Sequence, residues 1–502
     1  MKKRSLWMSA AAALVVAGAL AGCGSTTYFA GRNLPPSGLT NRVLIAIQNP
    51  GAAVPGALSF VDAYYDIRYK YNSTNSNPAF VLSGFGGHQP ISIQNVPEER
   101  YGVVYSAGDG SLVPVNYSSE VLDPKVLGLN GLSSSVFMTR NQSFVFAANQ
   151  ETHVLTVINN VTGASYPLNL PGVYRVSVNP GGSVALAFAQ NSNYIYYPRQ
   201  LSSAQTIAYS GGPTTWPANA TDCEPQNGPL WCLFQAVDPV SGKALAFDRP
   251  TKAVFSADGG TAYVLNCGPE CGGTTASVSP LPVAPLIYIV GEQSGVLPTQ
   301  SALNASSIAI PGGASNALVD SSTMYVVGQC AAAPTLTASQ QPQCAATGKQ
   351  TATSLYTGML TVVTLPTATT PIAATAPLSI SDGEPGAVSR MILADDDTLW
   401  IGMSKCANSV RASNNLPYGC LTMVNVATPT SPVATLLPYV GDATGIAAVT
   451  GLHKVYTAEG GQVYIYSTVD GSSINNSNVT VTGTAYDVAY MDATTDDDNT
   501  VY

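Results

Sequence analysis

A pattern of paired short strands recurs along most of the chain. Each copy has an apolar strand, a turn rich in Gly, Asp or Asn, and a second strand, as in VSVNPGGSVALAFA (176–189), VFSADGGTAYVLNC (254–267) and ILADDDTLWIGMSKC (392–406). A third strand follows after a polar loop, as in LTVVTLPT (360–367) and LTMVNVAT (421–428). Alternation of apolar and polar residues, with many β-branched and aromatic types, is typical of antiparallel strands. The pattern predicts an all-β fold.

The number of copies predicts the architecture. The second strands begin near seven positions: Tyr101, Ser143, Ser183, Thr261, Met324, Leu399 and Lys454. Four-stranded units repeated roughly every 40–80 residues are typical of a β-propeller. The start of the chain (VLIAIQNP, then LSFVDAY) lacks a first strand, and the end (485–502) supplies one. We therefore expect one propeller whose N- and C-terminal strands pair in a shared blade, with seven or eight blades because 211–250 is irregular.

The fourth unit carries a family resemblance. Its segment SADGGTAYVLN (256–266) is similar to the repeat of bacterial YVTN-type propellers, in which an apolar strand is followed by a Pro-Asp-Gly turn and Tyr-Val-x-Asn. Weaker copies extend the similarity over most of 42–502. The resemblance implies a propeller and supplies no catalytic residues.

The first residues have the order of a secretory signal. Lys2, Lys3 and Arg4 precede an apolar run that is too short to span a bilayer. The following Leu20-Ala21-Gly22-Cys23 resembles the lipobox of bacterial lipoproteins, which implies that Cys23 becomes the acylated first residue. An ordinary cleaved signal with an incidental Cys is the alternative.

These features predict the domain organisation and the location of the protein. We expect a signal peptide over 1–22, a flexible tether over 23–41 and the propeller over 42–502. Gly24 follows the Cys instead of Asp, which in the enteric lipoprotein pattern implies the outer membrane. The protein is therefore expected outside the cytoplasm, anchored by lipid to the outer membrane.

The remaining eight of nine cysteines form four couples that are close in sequence: Cys223/Cys232, Cys267/Cys271, Cys330/Cys344 and Cys406/Cys420. Such couples are expected to form structural disulfides outside the cytoplasm. A four-Cys zinc site is the alternative, although no couple has the two-residue spacing of a zinc knuckle.

The strand order predicts where these couples lie. In a four-stranded blade, the second-to-third loops and the crossovers to the next blade emerge on one side, here named the crossover face. The first-to-second and third-to-fourth turns emerge on the opposite side, the hairpin face. Three couples fall between second and third strands, and Cys223/Cys232 falls in 211–250, so all four are expected on the crossover face. They either protect this face from proteases or brace it as a recognition surface.

The sequence contains few candidates for catalysis or metal binding. His88, His153 and His453 lack ligand spacing, no nucleophile elbow, P-loop or dinucleotide fingerprint occurs, and Glu98-Glu99 is not a facing pair. The runs 395–397 and 496–498 suggest calcium, but Asp also favours such turns. We therefore predict no catalytic, metal or cofactor site.

Two further features bear on partners. A net charge of −9 argues against nucleic acid, which needs a basic face. Tyrosine clusters at 64–71 and 194–197 are expected to pack between blades rather than to stack on sugars.

The sequence thus favours a non-catalytic, membrane-anchored module that binds a protein or a surface polysaccharide on its crossover face. The alternative is a propeller enzyme of the lactonase, hydrolase or oxidoreductase type. It would need several Asp, Glu, His or Asn side chains that converge at one depth in the central channel.

Overall fold

The chain folds into an eight-bladed β-propeller. The computed structural model describes residues 34–53, 55–69, 79–96, 99–123, 127–129, 131–209, 211–224, 228–331, 356–366, 372–381, 386–404, 406, 414 and 419–493. All strands belong to one compact unit that begins at Asn41. Among the described residues, no helix is long and apolar enough to span a bilayer.

Each blade is an antiparallel sheet. In all blades except the third and the eighth, the strands follow one another along the chain from the channel outward. The first two blades consist of β3 (Pro90–Asn95), β4 (Tyr101–Ser106), β5 (Ser111–Asn116) and β6 (Val121–Leu122), then β8 (Ser133–Met138), β9 (Phe144–Asn149), β10 (Val154–Asn159) and β11 (Ser165–Asn169). A short strand, β7 (Leu127–Gly128), also pairs with β5.

The third and fourth blades contain the helices. The third consists of β12 (Val173–Val178), β13 (Ala185–Ala189), β14 (Ile195–Gln200), α1 (Ser203–Tyr209), β15 (Ala220–Glu224) and β16 (Trp231–Gln235). The fourth consists of β17 (Pro250–Phe255), β18 (Thr261–Asn266), β19 (Ser277–Pro282), α2 (Gln300–Ser306) and β20 (Ile308–Ala309). Short 3₁₀ helices span Pro213–Thr215, Gly268–Cys271 and Ala284–Leu286.

The next three blades repeat the pattern. They consist of β21 (Asn316–Asp320), β22 (Thr323–Ala331), β23 (Tyr356–Thr364), β24 (Ala373–Ala374) and β25 (Leu378–Ser379); β26 (Ala387–Ala394), β27 (Thr398–Ser404), β28 (Cys420–Asn425) and β29 (Val433–Leu436); and β30 (Ala443–Val449), β31 (Lys454–Glu459), β32 (Gln462–Ser467) and β33 (Ser473–Ile474). The seven predicted second strands are therefore confirmed as β4, β9, β13, β18, β22, β27 and β31.

The eighth blade joins the two ends of the propeller, as expected. Its innermost strand is β34 (Thr484–Tyr490), which pairs with β1 (Arg42–Gln48), and β1 pairs with β2 (Gly56–Asp62). The segment around Val81 takes the fourth position through a bridge to Ser59. The open choice between seven and eight blades is thus decided as eight.

The core consists of apolar layers between neighbouring blades. Second strands are almost entirely buried, and β4 and β13 are buried along their whole length, because a blade packs against each of their two faces. Outer strands alternate instead, and β11 shows buried and exposed residues in turn. Blades with this burial pattern stabilise one another only as a ring.

A buried arginine links the two chain ends to the first blade. Arg42 begins β1, and its Nη2 and Nε donate to the carboxylate of Asp492, at 2.7 and 3.1 Å. Its Nη1 donates to the carbonyl oxygen of Tyr117 and to Glu120, both at 2.8 Å. Because Arg42 is fully buried, this cation depends on both carboxylates for its stability.

Residues 211–250 differ from the expectation of a crossover loop. They contain β16, which pairs with β14 as a fourth strand, and β15, which adds a fifth strand outside it. Cys223 and Cys232 are register partners on these strands, with Cα atoms 4.0 Å apart. They lie at the outer edge of the blade, towards the hairpin face, so the prediction that all four couples share the crossover face is wrong for this one. The reason is that buried Trp231 and Leu233 make the segment a strand.

The other described disulfides lie as predicted. Cys267–Cys271 and Cys406–Cys420 form, with Cα atoms 5.6 and 5.9 Å apart. Both begin just after a second strand; Cys271 ends the 3₁₀ helix that precedes β19, and Cys420 is the first residue of β28. Cys330 lies in β22, and Cys344 lies outside the described residues. Disulfides of this kind are typical of extracytoplasmic proteins.

Replacing Arg42 tests the closure of the ring. We expect Arg42→Met to lower the free energy of unfolding by about 3–5 kcal/mol, because Asp492 and Glu120 would stay buried without their cation. Chemical denaturation of both variants measures the change. The matched control is Arg100→Met, at an exposed arginine, where a change of less than about 0.5 kcal/mol is expected. Equal losses in the two variants would contradict the role given to Arg42.

Candidate functional site: the central channel

A β-bulge recurs near the start of the innermost strands. The register between innermost and second strand shifts at Ser92, Ser135, Arg175, Lys252, Arg390 and Gly445, and the same shift occurs at Asp487 where β34 pairs with β1. The strand β21 has no bulge, but its Asn316 pairs with Val327 at the equivalent position. A bulge leaves one residue outside the ladder and re-aims the side chains beside it. In each of these strands, the named residue directly follows the one left outside and is itself paired. Each blade therefore contributes one residue at the same depth of the ring.

These eight residues are named the ring layer. They are Ser92, Ser135, Arg175, Lys252, Asn316, Arg390, Gly445 and Asp487. Crossovers lead into the innermost strands, and each of these residues lies within the first four of its strand. The ring layer is therefore at the crossover-face end of the channel.

Side chains of the ring layer reach across the channel. Arg175 Nη1 donates to the carbonyl oxygen of Ser315 at 3.3 Å, although the fourth blade lies between their two blades. Arg390 Nη2 lies 3.7 Å from Asp487 Oδ2, with β30 between their strands. Lys252 Nζ donates to Asn316 Oδ1 at 2.8 Å. The side chains thus converge on one space.

Gly445 makes the contact between Arg390 and Asp487 sterically feasible. A Cβ atom at Gly445 would lie 2.4 Å from Asp487 Oδ1 and 2.7 Å from Asp487 Cα, which is closer than real Cβ contacts. Asp487 is fully buried and accepts backbone N–H groups from Ile93 and Val488 at 2.7 and 2.9 Å. These bonds hold the carboxylate in place and link the eighth blade to the first.

The ring layer has a positive balance, with three cations and one carboxylate. Burial lowers the pKa of Lys252 well below its usual value, and repulsion by Arg175 and Arg390 lowers it further. Burial also lowers the pKa of Arg175, again with a contribution from Arg390. Arginine nevertheless stays protonated in proteins. Burial and mutual repulsion of these positive charges in the channel therefore lower the stability of the folded protein.

A disulfide-linked loop holds an acidic side chain beside this end of the channel. Glu270 lies between Cys267 and Cys271 and accepts the backbone N–H of Gln329, in the next blade, at 2.9 Å. Burial of its carboxyl group raises the pKa of Glu270 to about 7. The pKa of Tyr174, next to Arg175, is raised to about 12, mainly by burial and partly by Glu270. This loop is thus electrostatically coupled to the residues of the channel.

The other side chains considered from the sequence lie apart from the channel. His453 is exposed and pairs with Asp396 at 2.8 Å between neighbouring hairpin-face turns, and Asp395 accepts the N–H groups of Gly451 and His453. These two carboxylates thus bind a neighbouring blade. The described residues contain no group of three or more His, Cys, Asp or Glu side chains suited to a metal ion. Residues 496–498, Glu98 and Cys23 lie outside the described part of the chain.

The tyrosine clusters are only partly packed between blades. Tyr197 is buried as expected. Tyr64 and Tyr65 are 59% and 68% exposed, which contradicts the expected packing, because they occupy the hairpin-face turn after β2 and not a strand. Their rings contact each other edge to face at 4.8 Å.

A cleft of about 610 Å³ lies at the outer part of the first blade, away from the ring layer. Asp109, Glu120 and Asp123 contribute to its lining. Glu120 also binds Arg42, and Asp123 accepts the hydroxyl of Tyr101 at 3.0 Å. These two carboxylates therefore take part in contacts that hold the fold.

Arg175, Lys252 and Arg390 were not identified from the sequence. A signal was present, since each is a cation within an otherwise mainly apolar first strand: VYRVSV, PTKAVF and AVSRMILA. Only 20 residues of the chain are Lys or Arg, so cations in strands expected to be buried are informative. The described ring layer contains Asn316 and Asp487 but no histidine, so it only partly meets the pattern expected of an enzyme.

No protein-family model matches the sequence, and no curated protein matches it. Among solved structures, the protein is similar to hydrazine synthase of Kuenenia stuttgartiensis, with 12% identity over 80% of this chain and 100% of that one and a TM-score of 0.45. The periplasmic gluconolactonase of Pseudomonas aeruginosa shares 12% identity over 90% and 98%, with a TM-score of 0.43. The β-propeller domain of Cps50 (Swd1) from Myceliophteria thermophila shares 10% identity over 76% and 98%, with a TM-score of 0.44. Such values support no statement about activity.

The raised pKa of Glu270 predicts a pH dependence of stability. The carboxyl group of Glu270 binds a proton more tightly in the folded than in the unfolded state. Its contribution to the free energy of unfolding therefore falls as pH rises from about 4.5 to 7, and stays low above pH 7. We expect Glu270→Gln to be more stable than the wild type at pH 8, by on the order of 2 kcal/mol, and equal at pH 4.

Urea denaturation at the two pH values measures this difference. Glu151→Gln, at an exposed glutamate in another second-to-third turn, is the control and should change stability at neither pH. A Glu270→Gln variant that is less stable than the wild type at pH 8 would show that the carboxylate is favourable where it lies.

Proposed function

We propose that this protein is a lipid-anchored, extracytoplasmic binding protein that captures its ligand at the crossover-face mouth of the channel. The ligand belongs to a protein or a surface polysaccharide of the envelope, or is a free solute. The observation that carries the proposal is the convergence of Arg175, Lys252 and Arg390 at that mouth, beside a disulfide-linked loop.

The topology shows on which face of the propeller its first strand begins. The strand β1 occupies the second position of its blade, so it starts at the hairpin face, where Arg42 meets Asp492. In the proposed organisation, the signal peptide (1–22) is removed and the tether (23–41) runs from an acylated Cys23 to this start. Gly24 after the lipobox Cys, in place of Asp, supports placement at the outer membrane. Mass spectrometry of the N-terminal peptide tests the acylation of Cys23.

The binding function is tested with two matched tryptophan variants. The full chain, purified in detergent, is incubated with fractions of an envelope extract and analysed by native mass spectrometry. We expect one bound species on the wild type and none on Ser92→Trp, which fills the ring layer. Val469→Trp, at an exposed site on the hairpin face, should retain the species. If the wild type and both variants all retain the bound species, the proposal that the channel mouth is the binding site is contradicted.

A catalytic role is the second candidate, and Lys252 is the observation that favours it. A buried amine with a lowered pKa can act as a base or a nucleophile, and Asp487 lies in the same layer. The purified chain would then hydrolyse lactones or esters, or transfer electrons, and Lys252→Met would abolish the turnover. If the protein binds such a compound without converting it, the binding role is supported and the catalytic role is not.

A further inference from the structure

The arrangement of charge in the ring layer identifies the chemistry of a ligand. Three cations from three blades converge at one depth, and Asp487 is the single carboxylate among the eight positions. Arg390 Nη2 lies 3.7 Å from that carboxylate, Arg175 Nη1 donates to the carbonyl oxygen of Ser315 at 3.3 Å, and Lys252 Nζ donates to Asn316 Oδ1 at 2.8 Å. Among its own eight residues, the ring layer thus has three cations and one carboxylate, and Lys252 is buried.

The rest of the molecule has the opposite sign. The chain has 29 acidic and 20 basic residues, so the outer surface repels anions while the channel attracts them. A long polyanion would meet this acidic surface over a large area. A compact anion can enter the channel and reach Arg175, Lys252 and Arg390 without meeting this surface over a large area.

The side chains also suit oxyanions. A guanidinium presents N–H donors in a planar fork that matches carboxylate and phosphate oxygens, and an ammonium adds a point charge. Arg175 and Lys252 come from adjacent innermost strands, so a single small group can contact both.

We propose that the channel binds a compact anion with at least two negative charges, provided by carboxylate or phosphate groups, through Arg175 and Lys252 with Arg390 opposite them. This inference rests on the proposed function and specifies its ligand. Free solutes and a charged group at the end of a larger molecule share this chemistry.

The test uses defined probes and charge-removing variants. Isothermal titration calorimetry of the full chain in detergent measures binding of citrate and of pyrophosphate, with acetate and glucose as probes of lower charge. We expect one site per chain for citrate or pyrophosphate, and the better of the two distinguishes carboxylate from phosphate. Acetate should bind at least about tenfold more weakly, and glucose should not bind.

Matched variants locate the site. Lys252→Met and Arg175→Gln should each weaken binding of the better probe by at least about tenfold, because each removes a charged donor. Lys243→Met makes the same change at an exposed lysine in the crossover between the third and fourth blades, and should bind within twofold of the wild type. Equal affinities for all four proteins would show that the anion binds elsewhere and would overturn the proposal, as would no preference for citrate or pyrophosphate over acetate.

A second substitution covers the case in which a cation variant does not fold. Asn316→Asp preserves size and places a carboxylate next to Lys252, so it should abolish anion binding while thermal unfolding shows an intact fold. Undiminished binding in Asn316→Asp would contradict the site. If the envelope species of the tryptophan experiment is retained while both polyanions fail to bind, the anion inference fails and the binding function stands.

Discussion

Pairing between the first and the last strand of the propeller is the constraint on which the rest of the structure depends. The contact joins residues about 450 positions apart, since Arg42 and Asp492 bind each other, so its loop-closure cost is met only when all blades between them have formed. The buried Arg42 adds a bond to the first blade through Tyr117. Closure also removes the two sheet edges that an open array would expose.

Closure is connected to the channel through β34. This strand supplies Asp487, the carboxylate that Arg390 contacts, and Asp487 in turn binds the backbone of Ile93 in the first blade. A ring whose last blade had separated would leave Arg390 without this carboxylate and would disperse the ring layer. The site is therefore a property of the complete ring, and the three cations represent a cost in stability that a bound anion would reduce.

Much of the fold could be predicted from the sequence, because strand alternation and turn residues are local signals. All seven internal second strands and the shared blade were identified in this way. The structure of the irregular segment 211–250 was not predicted. Without the pairing of β15 with β16, the sequence around Cys223 and Cys232 indicates a loop. The channel site was also missed. Its residues are far apart in the chain, and the bulges that bring them to one depth depend on pairing register. The role of Gly445 follows from a contact with another strand.

The most direct measurement of the central claim is a crystal structure of the chain grown with selenate, a dianion whose selenium gives an anomalous signal. We expect a closed ring of eight blades with one anomalous peak in the channel, within hydrogen-bonding distance of Arg175 and Lys252 and facing Arg390. Peaks confined to exposed lysines and arginines, with none in the channel, would contradict it.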